Sequence, residues 1–272
     1  VHLEAAGHVL LQCASCDLVW LRNAPTRAQS KAWFEHEFVN DNAFLVEKYI
    51  DYRLRAIQRI AAVVSASIVG AGPQRLLDVG TASGSFVEVM GRVPGVAVEG
   101  LEPSLFAADA TSKRLGVRVH TGFIEDQSFP EGSFDIVTCL DTLCLVSDPH
   151  VDVAGFARLL KPGGRCFIEL PGFHYRFIKG SGWVGRALYG GKLGLQLGLH
   201  TLYFRRGNLV RLFEGHGLRI RSATPIEGPM YGSRFKQGAQ RIGFALLDKL
   251  YRASARQLEL APKILYEFEK SA

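Results

Sequence analysis

The 272-residue chain has no run of 18 or more apolar residues, so a membrane-spanning helix is not expected. Its first residues, Val1-His2-Leu3-Glu4, carry no basic-plus-apolar signal-peptide pattern. Cysteines number only five (Cys13, Cys16, Cys139, Cys144 and Cys166), an odd count, and three of them fall in predicted strands or strand ends. That argues against a disulfide framework and for a reducing, cytoplasmic setting. No internal repeat or low-complexity tract appears, which excludes a solenoid or array. Acid is scarce in the C-terminal part: residues 171–272 hold 6 Asp/Glu against 17 Lys/Arg (+11), whereas residues 1–170 hold 20 against 15 (−5). Such asymmetry suits an acidic substrate, an anionic membrane surface or nucleic acid, and equally a solvated basic surface with no ligand.

What is present organises itself around Leu76-Leu77-Asp78-Val79-Gly80-Thr81-Ala82-Ser83-Gly84-Ser85-Phe86. An apolar run breaks into small residues after an aspartate, and Val87, Met90 and Val93 then recur at roughly helical spacing. This predicts a buried parallel strand, a tight turn and a helix start. Small residues let backbone N–H groups approach a ligand, and the helix N-terminus favours negative charge. A dinucleotide fingerprint needs three glycines as G-x-G-x-x-G, and a P-loop needs Gly-Lys-Ser/Thr; neither is here.

The pattern Asp78-x-Gly80-x-Ala82-x-Gly84 resembles motif I of the class I S-adenosylmethionine (SAM) methyltransferases, D-x-G-x-G-x-G, with Ala82 in place of the second glycine. A second strand, Val96 to Leu101, ends at Glu102-Pro103, about 20 residues on, where a carboxylate can accept hydrogen bonds from two ribose hydroxyls. Strand Phe134 to Leu140, a helix through Val153, Phe156, Leu159 and Leu160, then Lys161-Pro162-Gly163-Gly164 and strand Arg165 to Leu170 continue the resemblance, which covers about residues 44 to 222.

The resemblance implies a Rossmann-like α/β fold: a seven-stranded, mostly parallel sheet with helices on both faces and the last strand antiparallel beside the fifth. Residues 1–43 are expected to form an N-terminal cap, and residues 44–272 the SAM-binding domain with a lid insertion at 171–204 after the fifth strand. Cofactor contacts are assigned to Asp78, Gly80, Thr81, Ala82, Gly84 and Phe86. Further contacts are assigned to Glu102, Phe123, Ile124, Cys139 and Leu140, with S-adenosylhomocysteine as product. Phe123 and Ile124 would pack the adenine face. The segment 25–42, with Trp33, Phe34 and Phe38, would lie over the mouth of the cofactor site or equally pack the cap onto the core, and Arg53, Arg55 and Arg59 of the long amphipathic helix 44–69 would largely face outward.

The acceptor is expected to be a small molecule, methylated at a hydroxyl, with N- or C-methylation, a nucleotide-sugar or RNA, and a non-catalytic SAM-fold scaffold as alternatives. No Asn-Pro-Pro-Tyr-like motif follows the fourth strand, which lowers the nucleic-acid option. Relatives such as the ubiquinone-pathway O-methyltransferases carry Glu-His before V-x-D-P; here those positions are Cys144 and Leu145, so metal-dependent catalysis is disfavoured. Histidine near its ordinary pKa is a natural base for a hydroxyl. His200, in His200-x-x-Tyr203-Phe204, is the first choice and His174 the second, with Tyr175, Trp183 and Tyr203 as substrate-positioning candidates. The long Gly-rich, aromatic segment 171–204 suits a lid, or alternatively a membrane-surface element. Cys13-x-x-Cys16 resembles the N-terminal zinc knuckle of bacterial small-molecule methyltransferases, but no second pair lies upstream, so a metal-free remnant is expected. A homodimer is left open.

Overall fold

The computed structural model describes residues 2–5, 8–40, 47–68, 72–180, 200–227 and 234–271. The chain opens with β1 (His2–Ala5), β2 (His8–Gln12), β3 (Val19–Leu21), α1 (Arg27–Asn40) and α2 (Glu47–Ala66). An alternating series follows: β4 (Gln74–Val79), α3 (Ser85–Met90), β5 (Val96–Glu102), α4 (Leu105–Leu115) and β6 (Val119–Thr121). It continues through β7 (Phe134–Leu140), α5 (Pro149–Leu159), β8 (Leu160–Pro171) and α6 (Phe173–Gly180). The end comprises β9 (Leu202–Tyr203), α7 (Arg206–Glu214), β10 (Leu218–Ile226), α8 (Arg234–Ala253) and β11 (Lys263–Lys270).

Seven strands form one sheet in the order β10-β11-β8-β7-β4-β5-β6. β4 through β8 run parallel, and β11 lies antiparallel between β8 and β10. Strands covered on both faces read as near-continuous apolar runs, which is why Leu76-Leu77 and Ile136-Val137 are legible as strands. Successive side chains go to opposite faces. Leu77, Val137, Cys139 and Ile168 pack with α5 and α7, whereas Leu76, Ile136, Phe167 and Leu265 pack with α2 and α3. Local chemistry fixes the helix starts. Ser104 accepts from the Ala107 N–H at 3.2 Å to cap α4, and Asp148 accepts from the His150 N–H at 2.9 Å with Pro149 opening α5.

The N-terminal strands do not stand alone. They form a second, antiparallel sheet, β1-β2-β3-β9, whose last strand comes from the end of the segment predicted as the lid, with Val19 opposite Tyr203 and Trp20 opposite Leu202. Leu10, Val19, Leu21, Phe173 and Tyr203 make its small core.

β4 pairs with β5 on one side and β7 on the other, so the connections diverge at its carboxyl end. In open α/β sheets that divergence leaves a crevice where ligands bind.

Candidate active site

A cleft of about 570 Å³ opens at this point, over the carboxyl ends of β4, β5, β7 and β8. Gly80, Thr81 and Ala82 form a ledge along one wall. Gly80 has φ +79°, and a Cβ there would meet the Thr142 side chain at 2.2–2.8 Å, so no other residue fits the turn. Ala82 also takes a left-handed conformation, φ +47°, at the position where the family pattern has glycine. Its N–H donates to Glu102 Oε2 at 2.9 Å, while the Ser104 N–H donates to Oε1 at 3.0 Å. Glu102 is thereby held at the tip of β5, 3% exposed, and burial, with Asp78 and Glu35 adding negative charge, pushes its carboxyl up to about 7. Burial likewise raises Asp78 to about 6, opposed by the Thr138 hydroxyl, which donates to its Oδ1 at 2.6 Å.

Of the residues assigned to the cofactor from sequence, Asp78, Gly80, Thr81, Ala82, Phe86 and Glu102 line the cleft. So do Phe123, Ile124 and Leu140. Two do not. Cys139 alternates away from Leu140 and is buried against the α5 face, which removes it from the cleft. Gly84 lies behind the ledge with φ +74°, where a Cβ would strike Thr111 Cγ2 at 2.4 Å, so it serves the packing of α3 on α4. The helix α1 covers the mouth with Arg27, Ser30, Trp33 and Phe34. Arg27 lies 4.5 Å over the Phe123 ring and pairs with Glu125 at 3.0 Å and Asp126 at 2.5 Å, tying α1 to the Phe123 side of the cleft.

The floor carries residues that sequence reasoning did not assemble. Arg53, expected to face outward, turns into the cleft and binds the wholly buried Glu169 at 2.5 Å, with Asp141 3.9 Å away. Lys263, from β11, pairs with Asp141. Despite burial, Lys263 and Arg53 hold the Asp141 carboxyl down at about 2. Asp141 Oδ1 and Glu169 Oε1 are both buried without a hydrogen-bond partner among the described residues. Such orphaned oxygens cost stability unless a ligand donor satisfies them.

His200 reaches this floor and is 2% exposed. Its Nδ1 lies 3.2 Å from Arg176 Nη1, which can only donate, so the neutral ring carries its proton on Nε2. Burial and Arg176 push its pKa down to about 3. Asp141, Cys144 and His200 place one donor atom each within 4.8 Å of one another. Those donors are already committed: Lys263 and Arg53 to Asp141, Arg176 to His200, and a Cys144 thiol that burial raises to about 12. The set does not fit a metal.

The remaining candidates lie elsewhere. His174 accepts the Glu259 N–H at 3.1 Å on its Nδ1 and does not line the cleft, which removes the second-choice base. Tyr175 sits on the same helix, its N–H bound to the Glu259 carbonyl, also away from the cleft. Tyr203 is 1% exposed in the core of the small sheet, with Arg176 4.6 Å over its ring, so it packs rather than positions substrate. Trp183, with residues 181–199 of the predicted lid, lies outside the described residues. Cys13 and Cys16 gather no third metal ligand among the described residues; hydrogen bonds from Ser15 and Cys16 lower the Cys13 thiol to about 7.

The ledge, the buried acidic tip of β5 and the apolar Phe123-Ile124 wall together fit SAM. The cradle at Gly80 admits no Cβ, and Glu102 offers ionisable oxygens at the mouth of a strand-end crevice. Comparison with known proteins agrees. The family model described as "Methyltransferase domain" matches residues 43–223, and the chain belongs to that family, the SAM-dependent methyltransferases, with SAM as its cofactor. It is 39% identical over 102 residues to a "Ubiquinone biosynthesis O-methyltransferase" of Ralstonia nicotianae, an alignment covering 35% of this chain and 42% of that relative. It is 32% identical over 117 residues to a "Demethylmenaquinone methyltransferase" of Chlorobaculum parvum, covering 42% and 48%. The chain thus spans less than half the length of either relative. Among solved structures, a geranyl diphosphate C-methyltransferase of Streptomyces coelicolor A3(2), in complex with Mg2+, geranyl-S-thiolodiphosphate and S-adenosyl-L-homocysteine, superposes with TM-score 0.52 at 20% identity, over 78% of this chain and 76% of that one. That likeness is one of fold. No helix among the described residues is long and apolar enough to cross a membrane.

Proposed function

We propose that the protein transfers the methyl group of SAM to a hydroxyl of a small acceptor of the quinone-biosynthesis type, as the name of the ubiquinone biosynthesis O-methyltransferase suggests. The observation that carries this reading is a cleft shared between a SAM ledge and a polar floor on which Lys263 and Arg53 flank the Asp141 carboxylate. Gly80, Thr81, Ala82 and Glu102 would hold the cofactor's polar groups, and Phe123 and Ile124 its base. Bound there, the cofactor supplies an electrophilic sulfonium methyl. Every other part of the task is alignment, proton handling and exclusion of water.

On the floor, the Asp141 carboxylate, 24% exposed, accepts a hydrogen bond from the acceptor's hydroxyl. Arg53 and Lys263 keep Asp141 ionised, so it orients the O–H as a hydrogen-bond acceptor, and the proton leaves to solvent as the oxygen becomes an ether. His200, neutral and carrying its proton on Nε2, acts in this scheme as a hydrogen-bond donor to the acceptor rather than as its base. Trp33 and Phe34 over the mouth keep bulk water from the reacting atoms.

Calorimetric titration with SAM and with S-adenosylhomocysteine tests the first half: micromolar binding of both is expected, and binding of neither would remove the proposal. For the second half, Asp141→Asn should keep cofactor affinity while turnover of a catechol-type acceptor falls roughly 10- to 150-fold, the scale of a lost charge-assisted hydrogen bond. His200→Gln should retain a turnover profile without a new inflection near neutral pH. Loss of activity only in the His200 variant would reverse the assignment.

A further inference from the structure

Helix α8 carries two apolar faces. Inward, Tyr251 is 1% exposed in the main core, and Phe244 packs beside it with the Arg59 guanidinium of α2 5.6 Å over its ring. Outward, Ile242, Leu246 and Leu250 are 74%, 58% and 44% exposed. Their i, i+4, i+8 spacing makes them one stripe along the helix, and Leu258 continues the exposed apolar surface just beyond its end. A surface helix ordinarily turns its apolar stripe to the core and its charges to water; here a second stripe is left to solvent.

Charge tells what fits it. Residues 234–256 contain six Lys/Arg and a single acid, Asp248, which is itself paired to Arg252 at 2.9 Å. Arg241, Lys249 and Arg252 are exposed along one flank of the stripe. A second copy of this chain laid on the stripe would bring the same excess of cations, with its one acid in this segment already paired. An anionic bilayer satisfies both features at once, taking the aliphatic side chains into the acyl boundary and the cations among the headgroups. The helix would lie in the interface plane. Its Phe244 touches Arg59 of α2, the helix that lines the cleft through Arg53, Ala56 and Ile57.

We propose that α8 is a membrane-surface docking element: its Ile242–Leu246–Leu250 stripe and flanking cations seat the protein on an anionic lipid bilayer. This site is separate from the 171–204 segment to which sequence reasoning assigned a membrane option, and it does not depend on the acceptor.

Flotation of the intact protein with vesicles of phosphatidylcholine, with and without phosphatidylglycerol, tests it. Co-flotation with the anionic vesicles, weakened by salt and lost in Ile242→Asp/Leu246→Asp at unchanged melting temperature and SAM affinity, is expected. Arg241→Gln and Lys249→Gln should each weaken binding roughly fivefold. Leu246→Trp, a milder change, should show a blue-shifted emission only with anionic vesicles. Absence of flotation, flotation undiminished in the double variant, or equal flotation on neutral vesicles would overturn the proposal. So would a dimer in sedimentation velocity that the double variant converts to monomer, because a second copy would then cover the stripe.

Discussion

Glu102→Gln should make the protein less stable at acid pH and more stable at alkaline pH, and a poorer cofactor binder. The carboxyl is 3% exposed and shifted from 4.5 to about 7, burial being the largest cause. At 1.36 kcal/mol per unit, keeping it ionised in the fold costs about 3 kcal/mol. The shift is upward, so this group's contribution is most favourable below its unfolded pKa and is lost as pH rises from about 4.5 through 7. Glutamine carries no such cost. It does turn an amide NH2 toward either the Ala82 or the Ser104 N–H, a pH-independent penalty of about 1–3 kcal/mol. The stability difference, variant minus wild type, should therefore climb by about 3 kcal/mol between pH 4.5 and 8, read from urea unfolding with SAM absent. In the opposite direction, losing a charge-assisted acceptor should weaken SAM binding roughly 10- to 150-fold at pH 8. Wild-type affinity should itself decline as pH drops below about 7, where Glu102 takes up a proton. A pH-independent stability difference, together with unchanged SAM affinity, would refute the placing of Glu102 as the buried, ionisable cofactor ligand.

Ala82→Gly should raise the melting temperature slightly, because glycine relieves a left-handed φ of +47° at a cost of only about 0.5–1 kcal/mol in unfolded-state entropy. Gly80→Val should abolish SAM binding in calorimetry, since its side chain would have to displace Thr142. Asp141 has a lowered pKa, so its contribution is present above about 3.8 and is lost as pH falls toward 2, about 2 kcal/mol in all. Lys263→Met should shrink that acid-limb loss in unfolding curves, as one of the two cations holding Asp141 ionised is gone.

The fold was largely legible because its strands are buried on both faces. Leu76-Leu77-Asp78-Val79 and Phe134 to Leu140 read as apolar runs bounded by turn residues, and the structure gives β4 and β7 over almost the same residues. The SAM ledge was legible for the same reason, as a local motif on one strand and one turn. Cys139 was misplaced although period-two alternation, counted from Leu140, separates the two. The acceptor floor was not legible. Arg53 and Glu169 are 116 residues apart, and a helical wheel places Arg53 outside while its long side chain reaches over the sheet edge. Lys263 comes from the last strand, brought to Asp141 by antiparallel insertion beside β8. The pairing of Leu202–Tyr203 with β3 is long-range and two residues long, too short for any periodicity to announce it. His200 was found by sequence, but its partner Arg176, which fixes the tautomer, was not.

The most direct test of the central claim is transfer of a labelled methyl group from SAM to a panel of quinol and catechol acceptors, with S-adenosylhomocysteine measured in parallel. Equal amounts of methylated acceptor and S-adenosylhomocysteine, with both strongly reduced in Asp141→Asn while that variant still binds SAM, is the result predicted. Tight SAM binding with no methyl transfer to any hydroxyl acceptor, or transfer undiminished in Asp141→Asn, would contradict the account.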